Sequence, residues 1–439
     1  MNVRNPFRTL FPLMLITGVS SVAAQSPLDE MVVTGTRTEQ KLGDVPLAIS
    51  LVSMRDIQLG RQGLNLDESL ARVPGLFMQN RYNFAQDLRV SIRGFGSRAS
   101  FGIRGIKVFA DGIPVTLPDG QSGTDDLDIG SAESIEVIRG PSASLYGTAS
   151  GGVISLTTEE PPAEPFVETK LTAGEFGHQK YQFKTGGQSG RLGYLINTSY
   201  MEMDGFRDHS EVEHGLINSK FRYDIDDTSS LTAIVNAVDS PTANDPGGIT
   251  RADVAADRTQ AQPRNLSSNA GEEFDQQRVG LVYDKNFGEK HELRLRGYSM
   301  WKDFQTFIPI GSHIPFVGDD GVVEFDRKFF GGGGRYTYRD YLLGMPNRLT
   351  VGFDMEVQRD DRQRFINNAG VKGDRVFDQL EKAESLGVYF RNETELSESV
   401  TLSLGGRFDD LDLPAPMKRA VIAHQGQLTP AYAYIAEHL

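Results

Sequence analysis

The sequence predicts an α+β domain followed by a transmembrane antiparallel β-barrel, and three observations lead there. Segments after Pro161-Pro162 alternate apolar and polar residues over about ten positions, the length and period of a strand that crosses a bilayer at a tilt. Tight turns and long polar loops alternate between these segments, as they do when the two ends of a barrel face different compartments. A leader of export type stands in front of both parts.

The leader has a basic n-region in Arg4 and Arg8, an apolar run from Leu10 to Val19, and small residues in Val22-Ala23-Ala24, so cleavage is expected before Gln25. Composition narrows the rest. A net charge of -14 over 439 residues argues against a general nucleic-acid binder, which needs a basic face. The absence of cysteine removes thiolate catalysis and Cys-ligated metal centres. No run of about 18 apolar residues offers a spanning helix, a test that leaves a β-barrel untouched.

Behind the leader, Leu28 to Gly35 (L-D-E-M-V-V-T-G) is a short β-prone run in polar surroundings. It suits either strand addition to the sheet edge of a partner or an ordinary edge strand of the next domain. From Asp44 the pattern is mixed. Val45 to Val52, Gly75 to Met78, Asp87 to Ile92, Ile106 to Phe109, Ser134 to Ile138 and Gly152 to Thr157 read as strands, and Met54 to Gln62 and Leu66 to Arg72 as short helices. Gly94-Phe95-Gly96-Ser97-Arg98-Ala99 matches a dinucleotide fingerprint, with Asp119 about 20 residues on. That motif requires a helix directly afterwards, whereas Ser100 to Gly105 carries two glycines and leads to another strand, so its glycines are read as turn residues.

Beyond Pro162 eleven strands are expected, near 166–174, 178–186, 191–203, 215–224, 229–239, 276–286, 290–302, 327–340, 347–358, 383–393 and 398–410. Leu349, Val351, Phe353, Met355 and Val357 alternate with Arg348, Thr350, Gly352, Asp354 and Glu356, one apolar face against one charged face. A soluble sandwich would use shorter strands and bury the apolar faces against each other. Gln188-Ser189-Gly190, Asp226-Asp227-Thr228, Gly288-Glu289 and Glu395-Leu396-Ser397 are tight turns, and Gly205–His214, Ser240–Asp275, Phe304–Asp326 and Arg359–Ala383 long links. Arg296 and Arg391 fall on the charged, lumen-facing parity. Asp208 to His214 mixes metal-ligand types at no known spacing and is read as a solvated loop, and Gly331 to Gly334 lacks the Lys-Ser/Thr of a phosphate loop.

Ile92-Arg93-Gly94, Asp111-Gly112-Ile113-Pro114-Val115, Ile135 to Pro141, Leu145-Tyr146-Gly147 and Gly151 to Ile154, together with Glu30-Met31-Val32-Val33-Thr34, resemble the TonB-dependent outer-membrane receptors. The variant at 93–106 with Leu117 to Gln121 is similar to a branch of iron transporters that includes a receptor for pyrroloquinoline quinone. The resemblance implies a signal peptide at 1–24, a TonB-box segment at 25–43, a plug domain at 44–160 that fills the lumen, and a barrel from 161 to 439. It implies residence in the outer membrane of a Gram-negative bacterium and contact with its lipid. It also implies energy supplied through TonB with ExbB and ExbD, a scarce ligand such as a ferric siderophore, and neither covalent catalysis nor a resident cofactor or metal.

On the same resemblance Asp29, Glu30, Met31, Val32, Val33 and Thr34 look like the TonB-binding site. Arg93 and Arg139 look like plug residues that pair with barrel carboxylates. Phe95, Ser97, Arg98, Phe101, Arg104, Asp119 and Gln121 are candidates for the ligand-binding apex, where aromatic and cationic groups suit an anionic, planar or catecholate ligand. Eleven strands, twelve if Ala431 to Ile435 forms one, are about half of the twenty-two in such transporters. The expectation is therefore a truncated or frameshifted product, or a fragment. A non-iron cofactor such as pyrroloquinoline quinone is the alternative cargo. A passive porin conflicts with the plug and TonB-box segments, and no Ser/His/Asp or H-E-x-x-H arrangement supports an exported enzyme.

Overall fold

The computed structural model describes residues 32–33, 40–41, 47–99, 102–140, 143–309, 321–397 and 400–413. The expected leader, Asp29, Glu30, Met31, Thr34, Phe101 and the segment Ala431 to Ile435 lie outside these residues. Strand β1 (Val32–Val33) pairs antiparallel with β2 (Gln40–Lys41).

The α+β domain follows the order β3 (Ile49–Ser53), α1 (Met54–Gln58), α2 (Asp67–Leu70), β4 (Leu76–Gln79), β5 (Arg89–Ile92), β6 (Ile103–Arg104), β7 (Ile106–Ala110), β8 (Ile113–Pro114), β9 (Gln121–Ser122), β10 (Ala132–Arg139), α3 (Ala143–Tyr146) and β11 (Gly152–Thr158). Five strands form one sheet in the order β3-β10-β11-β7-β8, with β11 parallel to β7 and the other pairs antiparallel. The β-branched runs supply its core: Ile92, Ile106, Val108, Ile135, Val137 and Ile154 are fully buried. Both early helices are shorter than the sequence suggests. Leu59 leaves α1 in an extended conformation before Gly60, and Pro74-Gly75 follows closely behind α2. The buried carboxylate of Glu68 accepts the backbone N–H groups of Gln62 (2.9 Å) and Leu64 (2.6 Å), which folds the α1–α2 link onto α2. Gly94 and Gly96 have φ of +91° and +87°, and the next element is β6 rather than a helix. A Cβ at Gly96 would strike the Val90 carbonyl, so the turn requires glycine there.

The second part is one antiparallel sheet of eleven sequential strands. They are β12 (Phe166–Ala173), β13 (Gln179–Ser189), β14 (Leu192–Met203), β15 (Val212–Asp226), β16 (Ser229–Asn244), β17 (Gly271–Phe287), β18 (His291–Ile308), β19 (Gly321–Leu342), β20 (Met345–Asn367), β21 (Lys372–Ser397) and β22 (Val400–Asp412), with short helices α4 (Arg251–Ala256) and α5 (Pro263–Ser267) between β16 and β17. The apolar parity is exposed on one face, as in Leu281, Leu295, Val351, Phe353, Val388 and Phe390. The polar parity faces the α+β domain, so the sheet is a partial barrel with that domain against its inner wall.

From β16 to β21 the strands run well past the lengths read from alternation, β21 to 26 residues. Most of the expected long link from Arg359 to Ala383 is strand, paired through Arg359↔Lys382 to Asn367↔Lys372. The reason is physical. Beyond the bilayer neither face needs to be apolar, so alternation stops while backbone pairing continues.

Candidate functional site

The α+β domain is anchored to the wall formed by β13 to β17. There the wall supplies cations and amides, and the domain supplies carboxylates and carbonyls. Arg278 pairs with Asp126 at 2.9 Å, and Gln276 donates to the same carboxylate at 2.7 Å. Asn197 donates to both oxygens of Asp128 (2.9 and 2.8 Å), and Gln182 to the Gly130 carbonyl (3.0 Å). Lys220 pairs with Asp111 at 3.0 Å and Glu160 at 3.1 Å, and Lys184 with Glu159 at 2.7 Å. Arg278, Asp126, Lys220, Lys184, Asn197 and Asp128 are all buried, and a buried pair of this kind is costly to break.

Contact of the β7–β8 hairpin, which touches β16 to β19, and of Lys107 with β20 is of another sort. The β7–β8 hairpin inserts Ile113 among Leu117, Ile234, Tyr298, Met300 and Phe329. A Cβ at Gly280 would run into Ile113 Cδ1, so glycine there makes room for the inserted side chain. Arg296 donates to the Gly112 carbonyl at 2.6 Å, and Lys107 faces Glu356 at 3.6 Å. Arg296 and Arg391 both lie on the inner face, where Arg391 pairs with Glu393 at 2.7 Å. Gly331 to Gly334 are interior residues of β19.

Of the apex candidates, three come together. The β6–β9 ladder sets Arg104 opposite Gln121. Arg104 donates to the Asp119 carbonyl at 2.9 Å and to Gln121 Oε1 at 3.5 Å, and its guanidinium lies 3.9 Å from the Asp119 carboxylate. Phe95, Ser97 and Arg98 are exposed in the preceding turn, where the Ser97 hydroxyl donates to the Gly94 carbonyl at 2.8 Å. Arg93 is exposed, at φ +50°, and Arg139 donates to the Pro74 carbonyl at 3.0 Å. Neither forms an ion pair among the described residues. His209 contacts the Ala270 carbonyl at 2.7 Å.

Sequence reasoning missed a cationic belt on the wall at the loop end. Arg327 is bidentate to Asp360 (2.8 and 2.5 Å), and Glu381 stands opposite Asp360 in register. Arg362 and Arg364 follow on the same face of β20, each with its Nε buried and without a hydrogen-bond partner. Arg327 lies over Phe325 and Arg364 over Phe377, 4.5 and 5.3 Å from the ring centroids. The combination of cation and ring expected of the apex is thus also a property of the wall. The signal was present in Asp360-Asp361-Arg362-Gln363-Arg364, whose alternate residues continue the inner parity of β20, but it sat in a stretch read as loop.

A carboxylate cluster lies where the domain meets the loop end. Burial pushes Asp125 up to about 7, and the neighbouring charge of Asp87 adds to the rise. Asp87 is raised by the same burial, opposed by Lys302 and Arg327.

Two family models match the chain in the order of its two parts: "TonB-dependent Receptor Plug Domain" over residues 41–153 and "TonB dependent receptor-like, beta-barrel" over residues 215–430. The chain belongs to the TonB-dependent receptors, a family of receptors and transporters rather than enzymes. Among curated relatives it is 29% identical over 246 residues to the vitamin B12 transporter BtuB of Vibrio vulnificus, covering 53% of this chain and 39% of that one. It is 25% identical over 203 residues to the metal-pseudopaline receptor CntO of Pseudomonas aeruginosa, covering 45% and 27%. In fold it is similar to the unliganded ferric citrate transporter FecA, with a TM-score of 0.71 at 20% identity over 84% of this chain and 56% of that one. The ferric preacinetobactin receptor BauA of Acinetobacter baumannii gives 0.68 at 15% identity, over 87% and 61%. The chain thus spans under two fifths of these curated relatives and little more than half of these structures.

Proposed function

We propose that the chain is the receptor of an import system in a Gram-negative outer membrane. Its cargo is an anionic iron chelate, a ferric siderophore, and plug movement is driven through TonB with ExbB and ExbD. One observation carries the choice of cargo: Arg104 on the plug and Arg327, Arg362 and Arg364 on the wall offer cations, Arg327 and Arg364 beside aromatic rings, with the Nε atoms of Arg362 and Arg364 unpartnered. Such a surface suits carboxylate or catecholate oxygens around a metal. Phe95, Ser97, Arg98, Phe101, Asp119 and Gln121 complete the proposed apex. Asp29 to Thr34 is the proposed TonB site, where strand addition would give the pull a grip on the plug. Arg93 and Arg139 are proposed to pair with barrel carboxylates.

The test is uptake of radiolabelled ferric siderophores by a receptor-deficient strain carrying this chain or its Arg362→Gln/Arg364→Gln variant. At least tenfold slower uptake in the variant, with equal protein in the membrane, is the expected result; equal uptake removes the assignment. Pyrroloquinoline quinone, also an anion with an aromatic plane, is the second reading. Growth rescue by that cofactor, and by no iron chelate, would select it.

A further inference from the structure

A second arginine group lies on the inner wall at the opposite, tight-turn end, outside the proposed cargo site; its Arg391 borders plug residue Tyr146. Register places Arg294 directly across from Arg335, and Arg339 directly across from Arg348. Directly opposed like charges on one sheet face are destabilising, with Cβ atoms only about 5 Å apart. The carboxylates present relieve this in part. Glu292 is shared by Arg335 and Arg339, the latter at 2.7 Å. Glu393 is shared by Arg348 and Arg391, each at 2.7 Å. Among the described residues, four guanidiniums thus share these two carboxylates in the ion pairs given. Arg294 adds a fifth whose own partner, Asp284, stands at 3.6 Å. Glu395, the next acid along β21, makes no ion pair with them among the described residues.

The group is open to solvent on the lumen side. Arg339 is 40% exposed and Arg348 21%, while the Nε of Arg335 is buried without an acceptor. The plug stops just short of it: the β7–β8 hairpin reaches Arg296, one inner-face position above Arg294, and accepts a hydrogen bond there. Between the opposed pairs, the buried Thr337 and Thr350 face each other across the same ladder, their hydroxyls 3.4 Å apart.

We propose that this cluster, centred on Arg339 and Arg348, binds an anion bearing carboxylate or phosphate groups. It would serve as the inner seat of the import path, taking the anionic groups of the cargo as they pass the plug on the β18–β21 side. Most buried ion pairs of the plug reach β13–β17, and Lys107–Glu356 is the one described on β20, so a path on the β18–β21 side breaks fewer of them. The role in import rests on the proposed uptake of an anionic chelate; the anion site itself does not.

The experiment uses the full chain in detergent micelles, titrated with inorganic phosphate or citrate at constant ionic strength set by chloride, with thermal unfolding as the readout. Both anions should raise the unfolding temperature above the chloride control. Arg339→Gln/Arg348→Gln should cut that shift at least fivefold, whereas Arg251→Gln, on the exposed helix α4, leaves it. In the first variant Glu292 keeps Arg335 and Glu393 keeps Arg391, so no carboxylate is orphaned. In anion-poor buffer it should unfold no earlier than the parent chain. An equal shift in parent and variant, or none beyond chloride in the parent, overturns the site. In cells the same variant should slow uptake at least threefold while surface affinity for the chelate is unchanged; parental uptake overturns its role in import. If the parent imports no anionic chelate but keeps the phosphate shift, the cargo assignment fails and the anion site stands.

Discussion

The two walls that face the plug differ in how their charges are met. On β13 to β17 nearly every inner cation already has a plug partner: Arg278 has Asp126, Lys220 has Asp111, and Lys184 has Glu159. On β18 to β21 the inner arginines are met mostly by the wall's own carboxylates, and several retain an unpartnered nitrogen. The first wall is a closed account of charge, complete without ligand. The second has spare donors at both ends of the lumen. The difference teaches that the charges binding the plug to the wall are concentrated on one side of this partial barrel, while the other side keeps cations that the plug does not neutralise.

Mutations that attack the anchoring wall should have the largest effects. Arg278→Met leaves the buried Asp126 carboxylate with a neutral amide donor in place of a counter-ion. A loss of about 3–5 kcal/mol is expected in chemical denaturation of the solubilised chain. A loss below about 1 kcal/mol would mean that the wall is not closed in the sense argued. Ile113→Ala empties the site over Gly280 and should cost about 2–5 kcal/mol; Gly280→Ala overfills it and should cost about 1–3 kcal/mol. If the two substitutions combined cost less than their sum, the knob-and-hole contact between plug and wall is confirmed by its coupling.

The carboxylate cluster sharpens the comparison through pH. The folded value of Asp125 is raised to about 7, so its contribution favours folding at low pH, below the unfolded value near about 3.9. That contribution is lost as pH rises through about 7, with a slope of up to about 1.4 kcal/mol per pH unit in the window between. Asp125→Asn should flatten the slope in denaturation midpoints measured from about pH 5 to 8. A slope unchanged in the variant would place the titration elsewhere. The smallest effect is expected away from both walls. Thr250 and Asp253 form a reciprocal cap on α4, in the loop between β16 and β17. Thr250→Ala should cost about 1 kcal/mol locally, read as faster amide exchange in α4, with no change in plug seating.

Legibility followed the physics of each region. Period-two alternation located all eleven strands because lipid demands one apolar face. It failed at the loop ends of β16 to β21, where water accepts either face, and the cationic belt at Arg362 and Arg364 was lost with those ends. The pairing of Arg104 with Asp119 and Gln121 was anticipated only as a cluster of residue types; the β6–β9 ladder brought the three together. After the Gly94–Ala99 motif the next described element is strand β6, where a dinucleotide fingerprint requires a helix.

By itself the sequence determined the class of fold, the order of plug and barrel, and which parity of each strand is polar, because these depend on local periodicity and on the solvent each face meets. It could not determine which charges meet. Asp126 and Arg278 are far apart in the chain, as are Lys220 and Asp111, and both pairs form only when the plug is seated. The opposed arginines at 294 and 335 and at 339 and 348 become neighbours only through strand register. A charge has a partner or lacks one only once the backbone has placed it, so the division into a wall neutralised by the plug and a wall with spare cations belongs to the tertiary structure.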